Sequence, residues 1–74
     1  MYKIKLAYPK YKQFVPSQEY KESITYSVCI GLYIDHNIEC YQSSASVIEF
    51  ETDAQRSLAL LKLCVDKRFS VHCI

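Results

Sequence analysis

Seventy-four residues, half of them apolar, suffice for one domain with one core and are too apolar for a disordered chain. The net charge of +1 divides into +4 through Lys21 (five lysines, one acid) and −3 from Glu22 onward (four basic, seven acidic residues), too weak an asymmetry to require nucleic acid or an anionic membrane. No stretch approaches the roughly 18 apolar residues of a spanning helix. The first residues lack the cationic, apolar and small-residue succession of a secretory signal, so a single cytoplasmic domain over residues 1–74 is expected.

Tyr2, Ile4, Leu6 and Tyr8 alternate with Lys3, Lys5 and Ala7, the period of a strand with one covered face, and Pro9 ends it. Residues 9–22 hold both prolines and no sustained period, which predicts a loop, with room for a short edge strand over Tyr11 to Val15. From Ser23 to Asp35 the residues Ile24, Tyr26, Val28, Ile30, Leu32 and Ile34 share one parity, which predicts the longest strand of the chain. Gly31, the only glycine, then marks a bulge or a close backbone approach inside it. Asp35, His36 and Asn37 make a hairpin turn, and Ile38 to Tyr41 pair back.

Ser43 to Ser46 form a spacer before a strand over Val47 to Glu51. Thr52 and Gln55 match a capping box, with Asp53 on the positive end of the helix dipole. Ala54, Leu58, Leu61 and Val65 then line the expected core face, while Leu60 and Leu63 fall outside it. Lys67 and Arg68 suit the helix end, and Phe69, Val71 and Cys73 alternate as a last strand. The expected fold is α+β: a mostly antiparallel sheet of four or five strands with one helix on one face, in the order β-β-β-β-α-β. The strands flanking the helix are expected to run parallel.

Chemistry-bearing residues are sparse. Cys29, Cys40, Cys64 and Cys73 read as reduced thiols that fill space as small apolar groups. Cys40, Cys64 and Cys73 with His36 and His72 offer zinc ligands by type, but the chain has no C-x-x-C pair, and adjacent His72 and Cys73 point to opposite strand faces. A single glycine excludes the glycine-rich phosphate loops, and nothing local stabilises a thiolate for a Cys/His pair. Glu49 and Glu51 read as the solvated side of Phe50. No enzyme activity, metal or cofactor is expected.

Surface chemistry points instead to a partner. Lys10, Tyr11, Lys12, Phe14 and Tyr20 mix cations with rings, and Tyr33 and Tyr41 fall on the expected outer sheet face, whereas Tyr2, Tyr8 and Tyr26 fall on buried parities. Tyrosine suits protein interfaces because its ring buries area while its hydroxyl tolerates water. Leu60 and Leu63 supply a second surface, suited to a homodimer. The expected function is a small non-catalytic interaction module, an inhibitor or accessory factor of the size class that includes bacteriophage proteins. The alternative is a nucleic-acid binder using Lys3, Lys5, Lys10, Lys12 and the neighbouring rings.

Overall fold

The computed structural model describes residues 2–8, 15, 17–67 and 69–74. The first strand, β1 (Tyr2–Ala7), follows the alternation: Ile4 and Leu6 are buried, and Lys3 and Lys5 turn to the other side.

The next element corrects the sequence reading. Gln18–His36 is a helix, α1, where Ser23 to Asp35 predicts a strand and residues 18–22 a loop. Ile24, Val28 and Leu32 satisfy both periods, being spaced by four as well as by two. Thr25 and Cys29 complete a helical face with Val28 and Leu32, and all four are buried. The rest of the alternating set is left outside: Tyr26 is 59% exposed, Ile30 40% and Ile34 71%. Local signals agree with the helix. The Ser17 side chain accepts the Tyr20 N–H at 3.1 Å, an N-cap. At the other end Asn37 takes the left-handed conformation (φ 54°, ψ 36°), with its N–H on the Leu32 and Tyr33 carbonyls. The left-handed asparagine therefore closes a helix instead of turning a hairpin, and Ile38 behind it enters the core rather than a strand. Gly31 sits in the helix with no bulge or close approach, since a Cβ there would meet nothing within 4 Å.

A hairpin follows, β2 (Tyr41–Ser44) and β3 (Val47–Phe50), turning through Ala45 and Ser46. The second helix, α2 (Asp53–Leu63), starts as its sequence predicts. The Thr52 side chain accepts the Gln55 N–H at 3.1 Å and the Gln55 side chain accepts the Thr52 N–H at 3.2 Å. It ends at Leu63, a turn before Lys67, so Lys62 is the cation in its last turn. The last strand is β4 (Ser70–Cys73).

The protein is thus α+β, with a four-stranded antiparallel sheet in the order β2-β3-β1-β4 and two helices, against the expected one. Strands β3 and β4 both run antiparallel to β1, so the pair joined by α2 is parallel but separated by β1. The pair joined by α1 is likewise split by β3. This is the split β-α-β connectivity of ferredoxin-like domains. Ile4, Leu6, Ile48 and Phe50 meet Val28, Cys29 and Leu32 of α1 and Ala59 and Leu63 of α2 in one core, closed by Ile38 and Phe69.

One polar chain crosses this core. Fully buried Thr25 donates its hydroxyl to the Ala45 carbonyl at 2.7 Å, and its oxygen accepts the Tyr8 hydroxyl at 2.6 Å. The end of β1, the middle of α1 and the β2–β3 turn are thereby joined, and a buried hydroxyl is satisfied on both sides.

The face of α2 turned inward is the opposite of the expected one. Ala59 and Leu63 are buried and Leu60 packs against the core, whereas Leu58 is 42%, Leu61 70% and Val65 78% exposed. Both stripes are apolar, so polarity does not choose between them. Ala59, with no side chain beyond Cβ, is fully buried on the inner side of α2. Tyr2 and Tyr26, expected inside, are exposed as well, and Tyr8 is half-buried.

Candidate functional site

The features that converge are on α1 and at the adjoining edge of the sheet. Tyr26, Ile30, Tyr33 and Ile34 are spaced as one outward stripe of α1, with Tyr33 55% exposed. At its C-terminal half the stripe borders an open cavity of about 370 Å³ between α1 and the start of the edge strand β2. Cys29, Ile30 and Tyr33 form the helix wall, Cys40 and Tyr41 the strand wall, and Glu39, Glu49 and Glu51 the rim.

The sheet register sets the rim. Tyr41 lies opposite Glu49, and Glu49 lies opposite Lys3 on the next strand, so the three side chains share the face away from the helices. Lys3 Nζ is 3.3 Å from Glu49 Oε1. The Tyr41 hydroxyl donates to Glu49, and this bond, with help from Lys3, holds the Glu49 carboxyl below its ordinary range. The same bond, to an acceptor carrying negative charge, raises the Tyr41 phenol. Lys3 neutralises one of the three carboxylates, and Glu39 and Glu51 leave the rim net negative. Aromatic walls under a carboxylate rim suit a cationic or amphipathic side chain entering from outside.

Two thiols stand in the inner wall. Cys29 Sγ and Cys40 Sγ are 3.3 Å apart, with Cys29 buried and Cys40 half-buried. Burial, and then the hydrogen bond with Cys29, push the Cys40 thiol up to about 12. It is a protonated group at neutral pH rather than a poised nucleophile.

Of the sequence-predicted partner residues, Tyr33 and Tyr41 come together on this cavity, although Tyr33 reaches it from a helix and not from the sheet face. Tyr20 lies in the first turn of α1, its ring edge-on to Tyr8 at 6.3 Å. Lys10, Tyr11, Lys12 and Phe14 lie outside the described residues, as does most of the expected edge strand. Leu60 and Leu63, expected on a self-association surface, line the core side of α2. Cys29, Ile30, Glu39, Cys40, Glu49 and Glu51 are the cavity residues that the sequence reading did not assign to a site. A helical reading of residues 18–36 would have put Tyr26, Ile30 and Tyr33 on one side, and so supplies the missing signal. Among the described residues no three His, Cys, Asp or Glu are grouped to hold a metal ion.

Comparison of the chain with protein-family models, with curated proteins and with solved structures finds no match.

Proposed function

We propose that the protein is a small non-catalytic interaction module, an inhibitory or accessory factor that binds a larger protein through the outer side of α1 and the cavity beside β2. The observation that carries this reading is the set Tyr26, Ile30, Tyr33 and Ile34, an exposed apolar and aromatic stripe continuous with a cavity walled by Tyr33 and Tyr41. Large rings beside a concave, partly desolvated pocket are the usual anchors of protein interfaces. The carboxylate rim favours a partner segment that offers a lysine or arginine among apolar residues. The bacteriophage association rests on size class alone.

The test is capture from cells of the source with the intact protein as bait, repeated with Tyr33→Ala and Tyr41→Ala. Loss of the same captured protein with both variants, each still folded by circular dichroism, supports the reading. Equal capture by both refutes it. Salt-sensitive recovery of nucleic acid by the wild type and both variants would favour the basic N-terminal segment instead. That alternative has less support, because four-stranded sheets that stack bases carry rings on their central strands. The outer face here offers Lys3, Lys5, Val47 and Glu49 at the corresponding positions of β1 and β3.

Self-association is a second reading, favoured by the exposed Leu58, Leu61 and Val65 of the α2 end. These three, not Leu60 and Leu63, are the residues to test. A dimer by sedimentation that becomes a monomer with Leu61→Glu supports it, and a wild-type monomer at high concentration refutes it.

A further inference from the structure

We infer that Cys29 and Cys40 form a reversible dithiol–disulfide site in the wall of the α1–β2 cavity, closed by exchange with a small-molecule disulfide. Their Sγ atoms are 3.3 Å apart, and each thiol also reaches the other residue's backbone carbonyl, Cys29 at 3.3 Å and Cys40 at 3.8 Å. A disulfide needs about 2.05 Å between the sulfurs, so closure asks for little more than about 1 Å of relative movement. The two residues come from a helix and from the segment entering a strand, so the bond would tie α1 to the sheet edge.

The surroundings decide which thiol reacts first. Both line the open cavity, but Cys29 is only 8% exposed and Cys40 is half-buried, so a reagent meets Cys40 first. After losing its proton to water, the Cys40 sulfur attacks one sulfur of glutathione disulfide, forming a mixed disulfide and releasing one glutathione thiolate. The deprotonated Cys29 sulfur then attacks the Cys40 sulfur and expels the second glutathione. Two cysteine thiols have lost two protons and two electrons, and glutathione disulfide has taken them up as two thiols. The raised Cys40 thiol makes the first step slow at neutral pH, so the site responds to sustained oxidation rather than to brief exposure. Cys64, at the cap of α2, and Cys73, in β4, are both exposed, so links between molecules would run through them. The inference stands without the partner-binding reading, although the bond would brace the cavity that reading uses.

The test uses the full chain, both as wild type and with Cys64→Ser and Cys73→Ser, equilibrated in glutathione buffers of rising disulfide content, acid-quenched, unfolded and alkylated. No lysine or arginine lies between Glu22 and Arg56, so trypsin leaves both cysteines on one peptide, whereas cleavage after Glu39 separates them. The expected result is a linked Cys29–Cys40 peptide pair in both proteins, in a proportion unchanged by about tenfold dilution and reversed by dithiothreitol. The proposal is overturned if both thiols remain fully alkylatable at the most oxidising ratio, or appear only as glutathione adducts or links between chains.

Discussion

Replacing Gly31 with Ala is expected to stabilise the protein, and the size of the effect follows from the geometry of α1. Gly31 lies inside a 19-residue helix with no left-handed φ to preserve, and a Cβ built there meets nothing within 4 Å. The substitution then removes only the backbone freedom of glycine in the unfolded chain, a gain of about 0.8–1 kcal/mol in a helix interior. For a domain of this size that raises the midpoint of thermal unfolding by roughly 4–8 °C. Gly31→Val separates helix from strand, because valine is a poorer helix former than alanine by up to about 0.7 kcal/mol and a better strand former by up to about 1 kcal/mol. Thermal melts followed by circular dichroism should give the order Ala, Val, Gly. A valine variant more stable than the alanine variant would refute the helical assignment of this segment.

Substitutions at three further positions probe the features that hold the site. Thr25→Val keeps the shape but takes from the buried Ala45 carbonyl its Thr25 donor, while the Tyr8 hydroxyl keeps the Lys21 carbonyl, and should cost about 1–3 kcal/mol in denaturant unfolding; a neutral result would remove the polar chain from the account of the core. At the left-handed cap, Asn37→Ala should cost about 1 kcal/mol while Asn37→Gly costs nothing, and equal losses would contradict the cap. Glu49 titrates below its ordinary range when folded, so its contribution is complete above the unfolded carboxylate pKa of about 4.3 and is lost as pH falls through the folded value. Wild type should therefore exceed Glu49→Gln in stability at pH 6, by a margin that shrinks as pH falls below the unfolded carboxylate pKa of about 4.3, and a gap independent of pH would exclude the Lys3 and Tyr41 contacts as its source.

Strands β1, β3 and β4 and the start of α2 were legible because one local signal dominated each. The alternation of Tyr2 to Ala7 and the Thr52–Gln55 box had no competitor. α1 was misread because its apolar residues recur at every second position, and spacing by two contains spacing by four. Burial of Thr25 and Cys29 decides for the helix, and both residues fall between the alternating apolar positions that suggested a strand. The faces of α2 were exchanged for a related reason, since Leu58, Leu61 and Val65 make a cleaner periodic stripe than Ala59, Leu60 and Leu63. Burial of Ala59 and Leu63 marks the second stripe as the inner one, and only tertiary packing reveals that. The cavity inherits the error: Tyr33 and Tyr41 were both named for their exposure, but Ile30, Cys29 and Cys40 join them only once α1 is wound as a helix. The strand-like residues left on its surface, Tyr26, Ile30, Tyr33 and Ile34, are also the ones on which the proposed interaction rests.

The central claim, that residues 18–36 form a helix whose outer side and C-terminal half build the binding surface with Tyr41, is tested most directly by nuclear magnetic resonance. Cα chemical shifts displaced to the helical side without interruption from Gln18 to His36, with a cross-relaxation contact between the Cys29 and Cys40 side chains, are the expected result. Strand-type shifts from Ser23 to Asp35, with contacts between alternate side chains and a neighbouring strand, would contradict it.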